Sequence, residues 1–467
     1  MTNQPRRERK ADKSDKADRT GRAAAQANAS TTERARGQSR GAEIRAGVAA
    51  EAPEIEALYR DLHAHPELSM RETRTAGVVA ERMRALAGWE VTPGVGGTGV
   101  VGVLRNGEGP TIGLRADMDA LPVEEKTELP YASTVRAVDA EGNEVGVMHA
   151  CGHDIHTAAL IEVASVLARL RAAWRGTLVA IFQPGEESLA GAEAMLRDGI
   201  FTRFPRPDVL LGQHDDPFEV GTILHRPGVM AAACANLRVR IFGVGGHGAM
   251  PETAVDPVVI AASAIMRLQT IAAREFPARD TPVVTVGMVR AGTRPNIIPD
   301  EVLLRLTLRS NKNATLARIE EAVRRIVAAE AQAAGAPRAP EVVVEEYTPV
   351  LDNDARLTER VMAAHRAHFG DERVLLLPHV MTGSEDFGLF GLAGPNHFAG
   401  ENIPYCYWNF GATSAKRWAE TPGATPFEKA DHLPSPHSPL FAPDPGPTLR
   451  CGMEALVVGA LELLGRV

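Results

Sequence analysis

No stretch of this 467-residue chain approaches the roughly eighteen consecutive apolar residues that a membrane helix needs, and its first thirty residues are polar. Neither a membrane anchor nor a secretory leader is therefore expected. Cysteine is scarce: Cys151, Cys234, Cys406 and Cys451 are too widely and irregularly spaced to read as a disulfide framework, which suits a reducing compartment. The expectation is a cytoplasmic protein. Residues 1–48 lack aromatic side chains and any repeating apolar face, and they carry twelve Lys/Arg against six Asp/Glu. Such a segment buries too little surface to offset the entropy of ordering, so it reads as a disordered tail. Acidic residues interrupt the basic ones throughout, which argues against a nucleic-acid-binding arm. The chain as a whole has a formal charge of −8, with 44% hydrophobic and 24% charged residues. That is the composition of an ordinary soluble globular protein, long enough for two or more domains.

Against this plain background, His149-Ala150-Cys151-Gly152-His153-Asp154-Ile155-His156 packs three imidazoles, a thiol and a carboxylate into eight residues. A divalent ion is the simplest reason to hold such groups together, because imidazole, thiolate and carboxylate are the side chains that bind zinc and similar metals. Small spacers let the backbone turn Cys151 and His153 toward one point. About thirty residues on, Glu186 and Glu187 stand side by side after an apolar run, offering one acidic ligand and one spare acid. Metal-assisted hydrolysis requires that pairing. Spacing alone selects Cys151, His153 and one of the two glutamates as ligands.

Apolar residues recur at helical spacing from Ile55 to Leu86, with a break at His65-Pro66 and a second helix starting near Arg71. Val100–Leu104 and Thr111–Arg115 are β-rich runs separated by Asn106-Gly107-Glu108-Gly109, which reads as a hairpin. Ala158–Leu170 reads as a helix, and Gly176–Phe182 as a strand ending at Gln183-Pro184-Gly185. Strand, helix and strand in alternation indicate an α/β sheet, with Asp117 to Asp119 and Glu186-Glu187 at strand ends where ligand sites gather. From Gly228 a second unit begins. Its order is strand Asn236–Phe242, helix Pro257–Ala273, strands Val283–Val289 and Glu301–Arg309, and helix Leu316–Ala334. This fits a small α+β sandwich inserted into the larger domain. The expected organisation is a tail over 1–48, a catalytic domain over 49–227 and 347–467, and an inserted domain over 228–346.

Several motifs in order give the chain a family likeness. They are His63-Ala64-His65-Pro66-Glu67-Leu68, Leu114 to Pro122 with Asp117 and Asp119, the His149 to His156 cluster, and Phe182 to Glu187. Gly245 to Ala249, Asn296-Ile297-Ile298-Pro299, Ser384-Glu385-Asp386-Phe387 and His437-Ser438-Pro439 follow. The chain resembles the metal-dependent amidohydrolases that include aminoacylases, hippurate hydrolase and the plant auxin-conjugate hydrolases, a branch of a wider metallopeptidase clan. The resemblance covers nearly everything after the tail.

It implies a catalytic domain with two divalent ions, of zinc, manganese, cobalt or nickel, and an inserted lid domain that also makes a homodimer. Cys151, His153, Glu187, His214 and His437 would be the ligands; His214 and His437 rest on the resemblance alone. The family order makes Glu186 the acid/base that moves the proton, with Glu187 pointing the other way to the metal. Asp119 would brace a ligand histidine, with Asp117 the rival for that role. His247, Asn296 and Arg309 would hold the substrate carboxylate or the developing oxyanion, the histidine coming from the partner subunit. Asp154 and His156 are assigned to structure, and His149 to substrate wall or loop support. Arg294 stands where relatives carry a small residue and adds a cation near the pocket. Tyr405 to Trp408 would form either an aromatic wall or core packing. The expected reaction is hydrolysis of an N-acyl amino acid. The rivals are a dipeptidase or carboxypeptidase of the same clan, and a non-catalytic metal-dependent binding protein, against which the intact Glu186-Glu187 pair argues.

Overall fold

The computed structural model describes residues 41–50, 54–395 and 397–466. Its largest element is a nine-stranded mixed sheet. In spatial order the main strands are Trp89–Val95, Gly99–Asn106, Trp174–Gln183, Thr111–Asp117, Val209–Glu219, Tyr405–Thr413, Ile223–His225 and Val374–Leu376. The strands Trp174–Gln183, Thr111–Asp117, Val209–Glu219 and Tyr405–Thr413 run parallel. They read as nearly unbroken apolar runs because helices cover the sheet and leave little solvent-facing surface for an alternating pattern. Helix His153–Arg169 is buried over almost its whole circumference, and with helix Pro445–Leu463 it fills one core cluster against the sheet.

The second sheet has four antiparallel strands, ordered Val283–Ala291, Glu301–Ser310, Ala233–Phe242 and Glu341–Thr348. Helix Asn313–Ala333 buries Leu316, Ile319, Val323, Ile326 and Val327, the three-and-four spacing of one helical face. Helix Pro257–Thr270 lies beside it in the same apolar cluster. Its start is set by Asp256, whose side chain accepts the Val258 N–H, with proline at the first helical position. The α/β class with a separate small α+β layer agrees with the sequence reading.

Three expectations need correction. The runs around Val100 and Thr111 do not form a hairpin: strand Trp174–Gln183 inserts between them, antiparallel to one and parallel to the other. Both runs are buried without alternation, as central strands are, and the true hairpin joins Trp89–Val95 to Gly99–Asn106. Next, Tyr347 does not mark the return to the larger domain. It lies in a fourth strand of the small sheet, opposite Ala235. Finally, the tail does not extend to residue 48. Residues 41–50 are helical, and Ile44 and Val48 are buried in the main core because they fall four apart on one face. The rest of the expected tail, 1–40, lies outside the described residues. Among the described residues no helix is long and apolar enough to cross a membrane.

Candidate metal centre

The eight-residue cluster lies where strand Thr111–Asp117 gives way, through a long excursion, to helix His153–Arg169. Gly152 caps that helix at φ 75°, and a Cβ there would sit 2.1 Å from Asp215 Oδ1. Only glycine allows Cys151 and His153 to face the same space at this turn. His214 is carried by strand Val209–Glu219 and brings its Nε2 to 3.3 Å from Cys151 Sγ. His437, in a loop near the C-terminal helix and itself at φ 71°, places Nε2 3.3 Å from Glu187 Oε2. Glu187 Oε1 is 3.9 Å from His153 Nε2. The donor atoms of Cys151, His153 and His214 lie within 4.8 Å of one another, and so do those of Cys151, Glu187 and His437. All five expected ligands converge, and the two trios share Cys151.

The donor set fits divalent ions on its own chemistry. His153 Nε2 and Glu187 Oε1 are buried without a hydrogen-bond partner although they face each other. Burial, then the neighbouring Glu187 charge, pushes the Cys151 thiol well above its usual range, so a thiolate there needs a cation. His153 Nδ1 is held by Asp119 Oδ1 at 3.1 Å, and His214 Nδ1 donates to the Asp215 carbonyl at 2.5 Å. Fixing one nitrogen of each ring leaves the other lone pair aimed inward, as metal-ligating histidines require.

Asp119 stands against His153, where a brace was expected. Besides His153, its carboxylate accepts Ser69 Oγ–H and the Glu187 N–H. Burial opposes its charge, but the His153 and Ser69 hydrogen bonds win and lower its pKa. Asp117 Oδ2 also comes within 3.7 Å of His153 Nε2, but its hydrogen bonds go to His156 Nδ1, 2.6 Å from Oδ1, and to Arg115 Nη1, 2.6 Å from Oδ2. The ring of His156 spans Asp117 and Asp215, which commits both its nitrogens, so it is a strut. Asp154 is likewise structural, 2.7 Å from His63 Nδ1.

Glu186 and Glu187 do not project in opposite directions. They lie in the turn after strand Trp174–Gln183, where strand alternation no longer applies, and both carboxylates reach within 3.9 Å of His153 Nε2. Burial, then the charges of Glu385, Glu187 and Asp386, holds the Glu186 carboxyl well above the carboxylate range. That suits a group that must carry a proton as well as accept one.

Sequence reasoning passed over the scaffold of this turn. Glu72, fully buried, accepts the Gly185 N–H at 2.8 Å, directly before Glu186. Arg115, also buried, donates to Gln183, Asp117, Glu385 and Asp386 and so ties three chain segments together. One signal was present: a charged residue in the middle of an apolar strand run marks a buried ion pair.

A cavity of about 640 Å³ opens onto the cluster. Cys151, Glu186, Glu187, His214 and His437 line it from the large sheet, and Arg309 from the small one. Arg309 donates to the Thr382 carbonyl and to Ser384 Oγ. His247 and Asn296 do not reach this cavity. They sit on a short exposed ribbon in which His247 pairs with Ile297. Arg294 is exposed and also off the cavity. Of the aromatic segment, Tyr407 faces the cavity while Trp408 is core. His149 is buried with both ring nitrogens unpartnered and contributes no lining.

The sequence profile of peptidase family M20/M25/M40 matches residues 113–416, which contain four of the five converging donors. The chain belongs to this family. Its relatives include hippurate hydrolase of Campylobacter jejuni, 37% identical over 72% of this chain and 85% of the relative. N-acetylcysteine deacetylase of Bacillus subtilis is 34% identical over 77% of this chain and 89% of its own. Among solved structures, a dinuclear metal binding M20 peptidase from Bacillus subtilis is 29% identical, with a TM-score of 0.66 over 88% of this chain and 98% of that one.

Proposed function

We propose that this M20 chain is a metal-dependent amidohydrolase that cleaves N-acyl amino acids or related conjugates into a carboxylic acid and a free amino acid. The observation that carries the reading is the Glu186 carboxyl, buried on the cavity wall beside two donor trios that share Cys151. Two ions of the zinc, manganese, cobalt or nickel class suit one thiolate, three imidazoles and a carboxylate. When bound they supply Lewis-acid polarisation of the amide carbonyl and lower the pKa of water to about 7.

The protein's own groups do the rest. Glu186 accepts a proton from the attacking water and passes it to the departing amine nitrogen, without which an amine leaves poorly. Asp119 fixes the His153 ring, and Arg309 offers its guanidinium to the carboxylate of the amino acid half. The relatives named for hippurate and N-acetylcysteine support the substrate class, since both names denote N-acyl amino acids.

His247 and Asn296 act across a homodimer formed through the inserted domain, the role left to them by their distance from their own cavity. Exposed Val259 and Met266 on helix Pro257–Thr270 and exposed Val289 on the edge strand Val283–Ala291 support that contact. The four cysteines are buried and unpaired, which fits a reducing, cytoplasmic setting.

The test pairs a substrate panel with Glu186→Gln. Purified protein is assayed on acyl-amino acids and on dipeptides with a free amino terminus, and metal content is measured in both forms. Turnover of acyl-amino acids, lost in the variant with metal retained, is the expected result; a preference for the dipeptides overturns the reading.

A further inference from the structure

The small sheet presents a charged face, and along most of it the charges cancel. Arg238 pairs with Glu345, Arg240 with Glu301 and Glu341, and Arg305 with Glu141 and Glu345. The cancellation stops where the cavity begins. Cys234 and Asn236, on the central strand, line the cavity, with Arg309 opposite Cys234 on one side and Glu346 opposite Asn236 on the other. Arg309 donates only to a carbonyl and a hydroxyl. Glu346 accepts from the Asn236 side-chain amide at 2.5 Å. Among the described residues, neither forms an ion pair.

Two unmatched charges of opposite sign thus look into one substrate cavity. Charge losing its water as a ligand closes the cavity is costly unless the ligand brings the counter-charge. Strand spacing and rise put the Cα atoms of Arg309 and Glu346 about 12 Å apart. Glu346 is held at Asn236 on the intervening strand, which shortens that span, and a ligand bridging the two charges needs a carboxylate and an ammonium separated by a side chain, as in a diamino acid.

Resting on the amidohydrolase reading above, we propose that Glu346, oriented by Asn236, is a specificity residue for a cationic side chain. The preferred substrates are Nα-acyl derivatives of basic amino acids of the lysine and ornithine class. With the α-carboxylate on Arg309, the side chain runs across the small sheet and its ammonium meets Glu346.

Nα-acetyl-lysine and its neutral counterpart Nα-acetyl-norleucine decide the matter, because they differ chiefly in the ammonium. The wild-type enzyme is expected to favour the lysine derivative in kcat/KM, and E346Q to cut that preference about tenfold or more, mainly through KM. A preference ratio that E346Q leaves intact, or a wild type that favours norleucine, overturns the proposal. If no acyl-amino acid is turned over, the amidohydrolase reading fails, and the subsite is judged separately by calorimetry with free lysine and norleucine. Binding of lysine over norleucine that vanishes in E346Q sustains it; equal binding of the two sinks it.

Discussion

At one edge of the large sheet His225 and His365 lie against Trp408, with His225 Nε2 2.9 Å from His365 Nδ1 and His365 Nε2 donating to the Ala455 carbonyl at 2.9 Å. Near its centre His153 and His156 are as deeply buried, but they face Asp117, Asp119 and Asp215. Burial lowers the pKa of all four rings. For His365 burial prevails and the value falls to about 4, and His225 drops well below its usual value. For His156 the charges of Asp117 and Asp215 outweigh burial and raise it to about 9. The two regions show that burial by itself makes a neutral packing group of a histidine. Strand-end carboxylates reverse that preference and favour the charged ring, and they arrive with the surplus negative charge that a cation would neutralise.

The strongest way to break this contrast is Glu186→Gln, which removes proton transfer while leaving the donor trios in place. Turnover should fall by about 100-fold or more with metal content unchanged; full activity would show that the carboxylates of the central region do no proton chemistry. Acid titration tests the other region. The ordinary imidazole value is 6.5 and the folded value for His365 about 4, so its contribution is fully present above pH 6.5. As pH falls from 6.5 toward 4 the unfolded chain binds a proton that the folded chain refuses, and stability drops by up to about 3 kcal/mol. Urea unfolding at stepped pH should show that slope, flattened in a His225→Leu/His365→Leu double variant; an unchanged slope would place the acid sensitivity elsewhere.

Asp119→Asn sharpens the central half of the comparison. It weakens the brace on His153 Nδ1 and should reduce metal affinity or activity by roughly 10- to 100-fold. Competition with a chelator reads the effect, and unaltered affinity would make the brace dispensable. The smallest signal is spectroscopic. His63 sits between Asp154 and Glu125; burial lowers its pKa, but the two carboxylates raise it to about 10. Ring nitrogen shifts should report a protonated His63 at pH 8 and a neutral His365 at pH 5.5. Matching titrations of the two rings would erase the distinction.

Much of this is legible in the sequence. The His149 to His156 density, the paired glutamates and the α/β alternation are local patterns, and local patterns follow from which faces of a strand or helix must be buried. The contact of Asp119 with His153 could be anticipated from the habit of metal-ligating histidines to carry an acidic partner. Other features left weaker marks. Arg115 looked like one residue of a motif, because its partner Glu385 lies 270 residues away. The supposed hairpin was plausible because its glycine-rich connection has turn chemistry, and turn chemistry does not name the strand that pairs on either side.

The sequence by itself determined the fold class, the local donors Cys151 and His153, and the acid pair beside them. The tertiary structure decided that His214 and His437 meet those donors, that strand Trp174–Gln183 divides the expected hairpin, and that His247 and Asn296 stand away from their own cavity. Periodicity reports how much of each element is hidden. Which distant element hides it depends on long-range packing and on pairing of buried charges, and these exist only once the chain has closed on itself.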